Sequence, residues 1–429
     1  MRALLMILSD LSCRFKSNSR LNVLTCLSFI FSVSVFLCVH PWFQTAVHAA
    51  PGEGHALTGI DVLEAQKFAP LAGKRVGLIT NQTGIDRNLH STIDLLAHAP
   101  GLKLVALFSP EHGISGAVDE RVPTATDAVT SLPIYSLYGE DVRPTDAMLE
   151  DLDALIFDIQ DAGVRFYTYV TTMGYSMEAA GKHHIAYYVL DRPDPLGGNR
   201  IEGPMLDRMR TNFVAYFPMP VRMGMTLGEM AQMFNAENNL GVDLHVIPMQ
   251  DWRRSDWFDN TGLPWVNPSP NLRSFGAEIL YPGLETLQAG GISVGRGTDT
   301  PFERIGAPWI RGDAFVKELN SRVIPGVRFI VDKFTPDSGL YGGKLCEGAR
   351  VVLTNRASFE SMRMGIEIAA VLAKLYPSNF DVSKMIALVG NEETIRKLKA
   401  GDAPTAIVAS WNVDLEAFRK MRAKYLLYH

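Results

Sequence analysis

The chain has almost no cysteine to build with. Of its four cysteines, Cys13, Cys26 and Cys38 fall within the first 50 residues, which leaves Cys346 alone in the remainder. A single thiol excludes an internal disulfide, so stability beyond that segment must come from a packed core. Basic runs are also lacking. The net charge is −5, charged residues make up 20%, and no Lys/Arg cluster stands out, which argues against nucleic-acid binding. There is no His-x-x-x-His or Cys-x-x-Cys spacing of the kind that holds zinc. A Gly-x-x-x-x-Gly-Lys-Thr loop is missing, and no Gly-x-Gly-x-x-Gly follows the first strand, so a nucleotide site has little support. Neither repeats nor low-complexity segments occur. No metal and no cofactor are expected.

What is present is apolar. The 429 residues are 47% hydrophobic, enough for two domains of ordinary size. Residues 1–49 stand apart. Arg14, Lys16 and Arg20 precede an apolar run over 23–39, and the small residues Ala46, Val47, Ala49 and Ala50 follow. Basic region, apolar region and small-residue exit together predict a signal peptide and a secreted or periplasmic protein. An uncleaved membrane anchor is the rival reading. A lipoprotein signal fits less well, because bulky Leu37 precedes Cys38.

Four later segments each climb through an apolar run and stop on a polar cluster. Val76-Gly77-Leu78-Ile79 ends at Thr80-Asn81-Gln82, and Leu104-Val105-Ala106-Leu107-Phe108 ends at Ser109-Pro110-Glu111-His112-Gly113. Leu155-Ile156-Phe157 ends at Asp158-Ile159-Gln160-Asp161, and Tyr187-Tyr188-Val189-Leu190 ends at Asp191-Arg192-Pro193-Asp194. Such runs predict strands buried on both faces, as in parallel sheets. Helical stretches at 90–96 and 171–182 alternate with them, which predicts a doubly wound α/β domain. Ligands of such sheets sit at the carboxyl ends of the strands, so the polar clusters define one candidate rim. Thr226-Leu227-Gly228-Glu229 reads as a capping box, which favours a structural over a catalytic Glu229. Repeated Pro and Gly over 264–297 predict broken structure and a domain junction. The expected division is 50–275 for the N-terminal domain and 276–429 for a smaller α/β domain.

On the rim, Glu111 and His112 form the sharpest signal. A carboxyl on a tight, partly apolar turn suits a general acid. Asp158 and Asp161 at the next strand end could complete a carboxylate pair, or could share a metal with Glu111 and His112. Candidates for substrate contact are Asn81, Arg165, Tyr167, Tyr169, Asp191, Arg192, Asn271 and Arg296. Arginine suits bidentate recognition of a carboxylate, and aromatic rings suit the apolar faces of a sugar. Arg296, in Gly295-Arg296-Gly297-Thr298, could equally brace the junction.

Six motifs in order carry a resemblance. They are Ser109-Pro110-Glu111-His112-Gly113, the run from Asp158 through Asp161-Ala162-Gly163-Val164-Arg165-Phe166-Tyr167-Thr168-Tyr169, and Asp191-Arg192-Pro193-Asp194-Pro195-Leu196-Gly197-Gly198. Pro268-Ser269-Pro270-Asn271, Ser293-Val294-Gly295-Arg296-Gly297-Thr298 and Gly306-Ala307-Pro308-Trp309 complete the set. Together they resemble the exo-β-N-acetylmuramidase family (NamZ type). The resemblance implies a Rossmann-like domain, a smaller C-terminal domain and a cleft between them. It also implies a glycosidase that removes N-acetylmuramic acid from the non-reducing ends of peptidoglycan fragments, with Glu111 as the leading catalytic residue. A peptidoglycan oligosaccharide is then the expected partner, with no nucleic acid, and with a membrane only through an uncleaved signal. The chain departs from the family pattern at Ser115, where many members have Arg. It departs again at Gln288-Ala289-Gly290-Gly291, where many have Glu-Gly-Thr-Asn. The rival readings are a non-catalytic periplasmic binding protein for muropeptides or sugars, and a metal-dependent hydrolase.

Overall fold

The computed structural model describes residues 56–117 and 120–429. The expected signal peptide lies outside them. Among the described residues, no helix is long and apolar enough to cross a membrane.

Each apolar run becomes a strand. β1 (Arg75–Thr80), β2 (Lys103–Ser109), β3 (Ala125–Thr126), β4 (Pro133–Ser136), β5 (Ala154–Asp158) and β6 (Ala186–Leu190) appear in chain order. β7 (Glu202–Met205) and β8 (Pro220–Arg222) form a separate antiparallel pair, and β9 (Leu244–Ile247) returns to the main sheet. The sheet order is β3-β4-β2-β1-β5-β6-β9, parallel throughout except at the short β3–β4 edge. Successive side chains alternate between two cores, as strand geometry requires. Val76, Leu78, Ile156 and Tyr188 pack on one face with Ile60, Leu63 and Leu96. Ile79, Phe108, Phe157 and Val189 pack on the other with Met173, Met177, Met230 and Phe234. Each fully buried Phe or Leu contributes about 1.5–3 kcal/mol.

The helices explain the two faces. α1 (Gly59–Ala65) and α2 (Thr92–His98) cover the first. α3 (Asp146–Leu149), α4 (Thr168–His183) and α5 (Leu227–Glu237) lie on the second. Thr226 and Glu229 cap α5 reciprocally, at 3.3 and 3.1 Å. Glu229 is also buried against Arg254, so its role is structural.

The junction expected over 264–297 instead contains a continuous helix, α6 (Phe275–Gln288), with Pro282 inside it. Gly283 within it serves close packing rather than turning. A Cβ on Gly283 would meet the Ser361 carbonyl oxygen at 2.1 Å, and the Gly283 N–H donates to Ser361 Oγ at 2.9 Å. Thus α6 crosses a later helix backbone to backbone. Beyond it lie β10 (Arg304–Ala307), α7 (Gly312–Ser321), β11 (Val327–Phe334) and β12 (Cys346–Leu353). The three strands form an antiparallel sheet in the order β10-β12-β11. α8 (Ser361–Leu375) is the helix that meets α6, and α9 (Ile386–Val389), α10 (Glu392–Ala400), α11 (Pro404–Ala409) and α12 (Asn412–Arg422) close the chain. The core under the second sheet face continues through α6 and α8 without a break.

The strand order reverses at β1, which puts the usual ligand crevice between the ends of β1 and β5. That crevice is filled from within. Thr83, Gln160 and Arg192 line a niche of about 20 Å³ that Phe258, Leu263, Pro264 and Val266 close. This is room for about one water, so the functional cleft lies elsewhere.

Candidate functional site

The cleft forms beyond the end of β2. Pro110 leads into Glu111, and His112 and Gly113 then take left-handed φ angles of 71° and 74°. A left-handed histidine is uncommon, and the paired turn reverses the chain at once. Gly113 N–H closes it on the Pro110 carbonyl at 3.0 Å. Glu111 is left half-buried at the strand end. Its Oε2 accepts the hydroxyl of Thr168, the first residue of α4, at 2.5 Å.

Opposite Glu111, α6 supplies Tyr281 and Glu285, and the loop after it supplies Arg296 and Phe302. The enclosed space is about 180 Å³. Arg296 Nη2 lies 3.0 Å from Glu285 Oε1, and its guanidinium carbon is 5.2 Å from the Phe302 ring centre. Gly295 and Gly297, with φ of 83° and 79°, hold the turn that presents Arg296. The aromatic wall is continuous: Phe166, Tyr167 and Phe302 contact Tyr281 at ring-centre distances of 5.6, 6.1 and 4.8 Å. Burial, then the nearby Glu285 carboxylate, holds the Tyr281 phenol well above its usual pKa, with Glu278 and Glu111 adding to the effect.

Of the expected site residues, Glu111, His112, Tyr167 and Arg296 line this cleft. The others do not, and several need correction. Asp158 is fully buried with both oxygens engaged: Oδ1 with Arg192 Nε at 2.6 Å, Oδ2 with Arg192 Nη2 at 2.9 Å and Thr92 Oγ1 at 2.5 Å. It is a strut, as is Arg192, and neither is available to a substrate. Arg165 is fully buried too. Its guanidinium donates to the carbonyls of Pro204, Met219, Leu388 and Val389, and burial lowers its pKa to about 9. It joins β7 and β8 to α9 and reaches no cleft. Asp191 accepts from Arg192 N–H, Thr226 Oγ1, Gly228 N–H and Tyr428 OH, which fixes the start of α5. Asn81 folds onto Thr83 (2.9 and 2.6 Å), and Tyr169 OH donates to the Pro268 carbonyl at 2.9 Å. Asn271 is buried ahead of α6, where Ser269 of the same motif reaches the cleft instead.

Asp161 is buried as well, in a group of acids. Its Oδ2 accepts the Gly163 N–H at 2.8 Å, while Oδ1 has no donor. Asp194 Oδ2 and both oxygens of Glu278 also lack donors. Burial raises Asp161 and Asp194 to about 7, with the Asp194 charge adding to the effect on Asp161 and the Arg222 guanidinium opposing it at Asp194. Burial, then the charges of Asp161 and Asp194, holds Glu278 well above its usual value. Acids kept protonated by the fold stabilise it below the ordinary carboxylate pKa, and that stability is lost as pH rises through the folded values. The melting temperature is therefore expected to fall as pH rises from about 4 to about 7. Asp161→Asn should flatten the slope. A thermal series with no such fall, or with the same slope in the variant, would remove the acids as its cause.

Glu111, His112, Asp158 and Asp161 do not converge as a metal set. Among the described residues, the grouping of acids close enough to share an ion is Asp61, Glu64 and Asp86, whose oxygens largely serve local turns.

Sequence reasoning missed Glu285 and Thr168. The signal for Glu285 was its spacing: Glu278, Tyr281 and Glu285 share one face of a helix, but the prolines and glycines concealed that helix.

Comparison with known proteins agrees with this architecture. Residues 76–276 match the family described as exo-beta-N-acetylmuramidase NamZ, N-terminal, and residues 279–428 match its C-terminal counterpart. The chain is 43% identical over 376 residues to the peptidoglycan beta-N-acetylmuramidase NamZ of Bacillus subtilis (strain 168), covering 86% of this chain and 91% of that one. Two crystal structures of DUF1343 family proteins from Bacteroides fragilis NCTC 9343 superpose on it. One is 36% identical with a TM-score of 0.82, covering 87% of this chain and 99% of that one. The other is 30% identical with a TM-score of 0.72, covering 88% and 99%. The chain belongs to the exo-β-N-acetylmuramidase NamZ family.

Proposed function

We propose that this chain is an exo-acting β-N-acetylmuramidase, secreted or periplasmic, that releases N-acetylmuramic acid from the non-reducing ends of peptidoglycan fragments. Its scaffold is Rossmann-like in strand order. The observation that carries the reading is Glu111, held by Thr168 at the mouth of an aromatic cleft that also contains an arginine. Because Oε2 accepts the Thr168 hydroxyl, Oε1 is the oxygen left to carry the acid proton. Oε1 donates it to the glycosidic oxygen as the bond to the sugar breaks. Tyr167 and Tyr281 offer ring edges to the sugar, with the fully buried Phe302 packed behind Tyr281. His112 fixes the turn that aims the carboxyl.

Purified protein is expected to turn over a chromogenic β-N-acetylmuramide and a MurNAc-GlcNAc disaccharide, with or without chelator. No turnover at any pH would favour a binding protein. Activity lost to chelator and restored by zinc or manganese would favour a metal-dependent hydrolase.

Arg296 is the one of the three candidate arginines that lines the cleft. It is assigned to the lactyl carboxylate, which N-acetylglucosamine lacks. A charged hydrogen bond contributes about 1.5–3 kcal/mol, roughly ten- to more than a hundredfold in binding. Arg296→Met should erase the preference for the muramide over the glucosaminide. An unchanged ratio of kcat/KM for the two substrates would locate selectivity elsewhere.

A further inference from the structure

The cleft contains a second carboxylate that the sequence reading did not select. Glu285 lies on the α6 wall facing the Glu111 turn, and both border Tyr281. The environments of the two acids differ. Glu111 is held by a neutral hydroxyl, whereas Glu285 is ion-paired with Arg296 at 3.0 Å. A neighbouring cation favours the charged form of a carboxyl, which suits a group that must remain an anion while its partner gives up a proton. The position is also rigid. α6 is anchored two residues earlier, where Gly283 meets Ser361 of α8.

We infer that Glu285 is the charge-stabilising carboxylate of the reaction, a reading that rests on the glycosidase function proposed above. Glu111 gives its proton to the glycosidic oxygen. The bond from that oxygen to the anomeric carbon breaks, its electron pair stays on the departing oxygen, and positive charge spreads over the anomeric carbon and the ring oxygen. Glu285 faces that charge. Water then adds to the anomeric carbon, and its proton returns to the Glu111 carboxylate, so both acids end as they began. Asp158 and Asp161, committed to the interior, have no part in this.

The test compares Glu285→Gln and Glu285→Ala with wild type on the disaccharide and on a nitrophenyl muramide. Removing a preorganised electrostatic partner costs about 10²–10³-fold in kcat. The loss in Glu285→Gln should be similar for both substrates, because the charge forms at the sugar whichever group departs. Formate or azide should restore part of the rate to Glu285→Ala. Near-wild-type kcat, a loss confined to KM, or absence of rescue in a variant that melts like wild type would overturn the assignment. An inactive wild type would instead overturn the proposed function, so the two failures are distinct.

Discussion

Glu111→Gln is expected to lower kcat on the disaccharide by at least ~100-fold, the lower end of what general acid catalysis supplies. The loss should shrink sharply on a nitrophenyl muramide, whose leaving group departs without a proton. This dependence on the leaving group separates an acid from a residue that only shapes the cleft. Gln keeps the oxygen that accepts the Thr168 hydroxyl, so the turn should stand and the melting temperature should hold. Near-wild-type cleavage of the disaccharide would remove Glu111 from the role. An equal loss on both substrates would assign it to charge stabilisation instead.

Arg192→Met should act on stability. It leaves Asp158 fully buried with only the Thr92 hydroxyl for company, and breaking a buried pair from one side typically costs about 3–5 kcal/mol. Denaturant unfolding should register that loss. At temperatures where the variant remains folded, kcat/KM should be close to wild type, because the pair lies outside the cleft. Pairing Arg192→Met with Asp158→Leu should recover much of the stability, since an apolar replacement of both partners removes the uncompensated charge. A stable Arg192→Met with poor substrate affinity would reverse this reading and restore Arg192 as a ligand.

The scaffold was legible in the sequence because its signals are local. Val76–Ile79 and Leu155–Phe157 are apolar on consecutive positions, and only a sheet covered on both faces buries such runs. The Glu111 turn was legible for a similar reason, since Pro110 and Gly113 bracket it. The fates of Asp158, Arg165 and Arg192 were not legible. A buried arginine bonded to four carbonyls has the same sequence neighbourhood as one that grips a substrate, and residues far apart in the chain decide between them. Leu388 and Val389, which accept from Arg165, lie more than 200 positions away. Glu285 was hidden by composition. Pro282 and Gly283 normally break helices, but here the close approach of α8 requires the glycine, and Ser361 satisfies a backbone group near the proline.

The cleft draws Glu111 and Thr168 from the parallel-sheet half of the chain and Glu285 and Arg296 from the half that begins with α6. The boundary between the two matched segments, at residues 276 and 279, therefore runs through the proposed site rather than around it. Neither half is a portable module. A chimaera that exchanged one half with a relative would pair the proposed acid from one lineage with the proposed anion from another, and the fit between them would have to be inherited from both parents at once.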